Sequence, residues 1–76
     1  MDLREAAAHW RVLYRSIIPV LELVLVEMRL LARGQPPLAR VELGLMDIAL
    51  VSDQLAHAVE RLAYWDRVAA AAVTDA

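Results

Sequence analysis

Cysteine, lysine, asparagine and phenylalanine are absent from this chain, and glycine and proline occur only two and three times. Without cysteine there is no disulfide and no thiolate zinc site, so the redox compartment is left open and two common reinforcements of small folds are excluded. Without lysine, all positive charge rests on eight arginines, which face ten acids for a formal net charge of −2. That balance excludes a basic nucleic-acid binder. A GC-rich coding bias accounts for the arginine and alanine content, so arginine usage alone does not argue for anion binding.

Long apolar runs are missing too. A bilayer span needs about 18 consecutive apolar residues, and the richest stretch, Ile17 to Leu31, is interrupted by Glu22, Glu27 and Arg29. The opening Met1-Asp2-Leu3-Arg4-Glu5 lacks the basic and then apolar regions of a secretory signal. The expectation is a cytoplasmic protein with no membrane span.

What is present is apolar excess. At 76 residues the chain has room for one small domain, yet it is 61% hydrophobic against about 45–50% for ordinary soluble domains. Only one stretch, Arg33-Gly34-Gln35-Pro36-Pro37, gathers glycine and proline, and two long apolar segments flank it. Folding those segments back on each other is the cheapest way to hide both. The fold expected is all-α, an antiparallel two-helix hairpin spanning residues 1–76, with helix 1 at about 2–33, a turn at 34–37 and helix 2 at about 38–73.

Asp2 is placed to cap helix 1, with Glu5 three positions on as the partner of a capping box. Leu3, Ala7, Trp10, Tyr14, Ile17, Leu21, Val24, Met28 and Leu31 then recur by fours and threes, a heptad seam. Another face carries Arg4, Arg11, Arg15, Glu22, Arg29 and Arg33. Pro19 falls inside this helix, where it removes the hydrogen bond to the Arg15 carbonyl. A kink at Pro19 is expected because the seam keeps its phase there; the alternative is a break near Ser16. Gly34 is expected to end the helix in the left-handed conformation.

Helix 2 carries the seam Val41, Leu45, Ile48, Ser52, Leu55, Val59, Leu62 and Ala69, with Asp66 as a polar interruption. A second stripe, Leu43, Leu50, His57, Tyr64 and Ala71, recurs by sevens, and Gly44, Ala49, Ala56, Ala58 and Ala63 are small enough for close helix approach. Paired about the turn, residue i of helix 1 faces roughly 71 minus i of helix 2. This places Trp10 beside Arg61 and Leu62, places Tyr14 beside His57, and gathers Trp10, Tyr14, Tyr64 and Trp65 at the open end.

A hairpin buries one seam per helix and leaves Leu23, Val26, Leu30, Leu43, Met46 and Leu50 in water. At about 25 cal/mol per Å² and on the order of 100 Å² each, hiding these six is worth roughly 15 kcal/mol before entropy. They are the expected interaction residues. The partner is a further copy, giving a four-helix bundle or larger helical assembly, or else another helical protein. Residues 1–35 carry five arginines and four acids (+1), and residues 36–76 carry three arginines and six acids (−3). Opposite charges can therefore meet across the hairpin or between copies, although a solvated face is the ordinary reading of such a stripe.

Constellations for chemistry are few. His9 and His57 each follow an acid by four residues, Glu5 and Asp53, a spacing that serves helix stability as well as metal binding. The Glu-x-x-His arrangement of di-iron bundles is absent. No phosphate-binding glycine loop and no nucleophile set occurs. No metal, cofactor or catalytic residue is assigned, and the expected function is a non-enzymatic oligomerisation or adaptor module, or a small accessory or regulatory subunit. The alternative is a small ligand-binding or catalytic bundle with its site at Tyr14, His57, Arg61 and Tyr64. A membrane-surface role fits poorly, because the polar face of helix 1 is not strongly basic and helix 2 is acidic.

Overall fold

The computed structural model describes residues 1–74, so the last two residues of the expected 1–76 domain lie outside the described residues. The chain is all-helical and hairpin-like: α1 (Leu3–Arg33), α2 (Pro37–Glu42), a π-helical turn (Leu43–Ile48) and α3 (Ala49–Thr74), the last three forming one continuous helical segment that packs along α1.

The start of α1 is set locally. Asp2 is extended, and its carboxylate accepts the Glu5 N–H at 2.8 Å, satisfying one of the four donors that a helix N-terminus leaves open. The helix then runs through Pro19 without interruption, so the break near Ser16 does not occur. Ser16 turns its hydroxyl back to donate to the Val12 carbonyl at 2.9 Å, a bond a serine makes inside a helix rather than in a connection.

The turn differs from expectation. Gly34 is right-handed, at φ −85° and ψ −2°, and none of the described residues has positive φ. The helix closes instead by tightening: the N–H groups of Gly34 and Gln35 donate to the carbonyls of Leu31 and Ala32, at 3.2 and 3.1 Å. Pro36, extended at ψ 157°, then redirects the chain, and Pro37 opens α2 at a position where a missing N–H costs nothing.

The buried stripe departs from the expected seams. On α1 it begins with Ala7, Trp10, Tyr14, Ile17 and Leu21, then passes to Leu25 and Ala32, leaving Val24 and Leu31 outside. A strict seven-residue repeat needs a supercoil to stay on one side; the drift by one position is what a straighter helix with 3.6 residues per turn produces. On the second segment Ala58 is buried where Val59 was expected, and Val41 and Leu45 point to solvent while Ala39 and Leu43 turn partly inward.

The π-helical turn explains that exchange. Its extra residue rotates everything before it by about one residue's worth of helix, roughly 100°. A seam running back from Ile48 therefore continues through Leu43 and Ala39 rather than Leu45 and Val41. The register moves as well. Trp10 stacks on Trp65, with centroids 6.4 Å apart, and Arg11 reaches Asp66. Contacting positions therefore sum to about 75–77 rather than 71. Tyr14 is not beside His57, and Trp10 meets Trp65 rather than Arg61 and Leu62. A wider turn uses more residues per ångström of axis, which shifts the register in this direction.

Gly44 and Gly34 do not serve close packing or a left-handed turn. A Cβ built on Gly44 meets nothing within 4 Å, and one on Gly34 meets only the Leu31 carbonyl oxygen at an ordinary 3.7 Å. Gly34→Ala and Gly44→Ala should each raise stability, by about 0.4–1 kcal/mol, through loss of unfolded-state freedom and gain of helix propensity. The midpoint of urea unfolding measures this, and a lower midpoint for Gly34→Ala would restore the left-handed turn. Asp2→Ala should cost about 0.5–2 kcal/mol in the same measurement.

Candidate functional site

Helix pairing in this chain builds a charged edge, an aromatic end, a cleft at the turn and broad apolar flanks. The charged edge centres on Asp66, the residue that interrupts the helix 2 seam. Its Oδ1 accepts from Arg11 Nε at 2.8 Å and more distantly from an Arg15 guanidinium nitrogen at 3.4 Å. The arginine stripe of α1 thus meets an acid across the pair of helices. Because the three side chains keep from a third to more than half of their surface in water, each pair is worth well under about 1 kcal/mol. Its value lies in geometry, since a carboxylate here holds the two helices at one register.

The aromatic end is assembled as anticipated, though in different pairs. Trp10 and Trp65 stack, Tyr14 lies 6.1 Å from Trp10, Tyr64 meets Trp65 edge-on at 5.0 Å, and His9 meets Trp10 edge-on at 5.1 Å. The guanidinium of Arg61 lies over Tyr64 at 4.6 Å and near Trp65 at 5.8 Å. Such contacts add about 0.5–1.5 kcal/mol to area burial. Both indoles remain half-buried rather than enclosed.

Of the four residues set out for a ligand site, Arg61 and Tyr64 are in contact, Tyr14 joins them through the stacked tryptophans, and His57 is exposed and apart. Arg61 already covers the ring faces that a cationic ligand would use. The cleft of about 460 Å³ lies at the other end, by the turn, lined by Gln35, Ala39, Glu42, Leu43, Met46 and Asp47. It exists because the π-helical turn swings Leu43 inward and Met46 to the rim. The sequence signal was the presence of two competing stripes in helix 2: the turn passes the buried side from one to the other. Among the described residues no three acids or histidines converge as a metal site would require.

The six expected interaction residues are distributed over three places. Leu23, Val26 and Leu30 share the outer side of α1 by their spacing of three and four; Leu43 and Met46 line the cleft; Leu50 lies near the start of α3. All but Leu43 are more than half exposed. The list of exposed apolar side chains is longer than expected from sequence, adding Leu13, Val20, Val24, Leu31, Val41, Leu45 and Tyr64. Only Ala7, Leu25, Ala32 and Ala58 are buried among the described residues, and three of these are alanines. No helix of the described chain is long and apolar enough to cross a membrane.

Comparison with protein-family models, with curated proteins and with solved structures finds no match to this chain.

The half-buried aromatic contacts should outweigh the charged edge. Trp65→Ala should cost about 2–3 kcal/mol, and Asp66→Ala less than about 1 kcal/mol, in urea unfolding of the two variants. Equal losses would show that the ion pairs rather than the ring contacts hold this end.

Proposed function

We propose that this chain is a non-enzymatic oligomerisation or adaptor module, a self-assembling unit or small accessory subunit that acts through apolar helix faces. The observation that carries the reading is the surface left uncovered. The chain has 5606 Å² of accessible surface, while a compact monomer of 8.5 kDa exposes about 4,700 Å². Its radius of gyration is 17.0 Å against about 11 Å for a compact chain of this length.

The excess is apolar in large part. Leu23, Val26, Leu30, Met46 and Leu50 stand in water, and Leu43 offers what the wall of the turn cleft leaves open. Covering about 900 Å² is worth on the order of 20 kcal/mol per copy before the entropy of association and ordering. Most soluble monomers tolerate exposed apolar patches of only a few hundred Å². In this reading the chain is an antiparallel hairpin that makes half of a four-helix bundle or one layer of a larger helical assembly. A bend at Pro19 would let α1 follow such a bundle. The ligand-site alternative is less well supported, since its histidine stands apart from its aromatics.

Size exclusion with light scattering tests the reading directly. At micromolar concentration the mass should be at least twice 8.5 kDa, or the chain should remain poorly folded until a helical partner is supplied. A monomer with full helical circular dichroism and cooperative unfolding at that concentration would overturn it.

A further inference from the structure

We propose that the chain pairs with a second copy through one particular face, with α1 of each copy lying against α3 of the other and both turns at the same end. This rests on the association reading above and adds to it the occupant, the face and the orientation.

The face is found by elimination around the two helices. One edge of their interface is charged, where Arg11 and Arg15 meet Asp66. The outer side of α3 presents exposed Asp53, Glu60 and Arg67. The outer side of α1 is apolar, at Leu23, Val26 and Leu30, but it is one helix wide. On the edge opposite Asp66, α1 presents Leu13, Val20, Val24 and Leu31, spaced by seven, four and seven, and α3 presents Leu50 and Tyr64. Leu13 follows Trp10 by three and Tyr64 follows Arg61 by three, so both stripes continue the side on which the aromatic rings and Arg61 meet. This is the apolar face to which both helices contribute.

Its dimensions suit a second copy. The chain measures 58 × 18 × 16 Å, so one long face offers on the order of 1,000 Å², against about 800 Å² per partner in a standard stable interface. That is also the size of the surface excess over a compact monomer of this mass. A self-complementary face closes with two-fold symmetry and leaves no unpaired half to propagate.

Charge selects between the two ways of stacking such faces. With the two-fold axis along the rods, residues 1–35 at +1 lie beside residues 36–76 at −3 of the other copy. With the axis across the rods, each half meets its own kind, and like charge at an interface rim opposes that register. The first arrangement also repeats between copies the same up-down neighbour relation that α1 and α3 have within one.

The absence of cysteine permits a direct test. Gln35→Cys, carrying a nitroxide at the turn, should give a dipolar distance within about 30 Å between copies, since adjacent helices lie about 8–10 Å apart; rods stacked the other way would place the labels near their 58 Å length. Val20→Glu should weaken the dimer by at least about tenfold in sedimentation equilibrium, whereas Ala56→Glu, exposed on another side, should leave it unchanged. A long label distance overturns the orientation. Dissociation by Leu23→Glu but not by Val20→Glu overturns the face. Either result leaves the association reading standing, whereas a folded monomer removes both. If Val20→Glu loses its helical signal, the label distance on the otherwise intact face still decides.

Discussion

Two helices side by side share one line of contact, and most of what this chain does follows from that constraint. A rod 18 by 16 Å in cross-section has no interior point far enough from water to enclose a leucine or tryptophan on all sides. Three of its four buried residues are accordingly alanines, placed where the helices lie close, with Leu25 the single larger side chain among them. The larger apolar groups are each covered on one side only. A chain with 61% hydrophobic residues has far more to hide than one seam can take.

The limited contact makes the few specific interactions decisive for register rather than for energy. Asp66 breaks the apolar seam of α3, and Arg11 and Arg15 answer it from α1. Beside it the Trp10 and Trp65 rings stack, which requires the same axial offset. At the other end the π-helical turn sets which side of α2 faces α1, and it opens a cleft between Gln35 and Asp47 in doing so. The two ends thus constrain the pairing from opposite directions, one by side-chain geometry and one by backbone winding.

Much of this was legible from residue spacing. The all-helical class, the capping role of Asp2, the closing of α1 at the Gly34 to Pro37 stretch and the gathering of four aromatics at one end all follow from local chemistry or from the position of a single turn. The conformation of Gly34 did not follow, because a glycine past a helix end permits the left-handed state without requiring it; the tightened last turn satisfies the same carbonyls. Val24 and Leu31 were assigned inside for want of knowing whether the helices supercoil. The candidate interaction residues were legible as surplus apolar positions, yet their grouping into faces was not, since it depends on which edge Asp66 occupies.

The sequence by itself determined that this chain is helical, where it turns, and that its apolar surface exceeds what one pair of helices can cover. These are properties of spacing, capping and composition, which act within a few residues or in bulk. Only the tertiary structure decided the register, the inward and outward sides of α2, and which apolar stripes lie together on one exposed face. Those depend on one inserted residue in a π-helical turn and on one carboxylate meeting two arginines more than fifty positions away. A change of one position rotates a helix face by about 100°, so a small local event of this kind redistributes every side chain that comes before it.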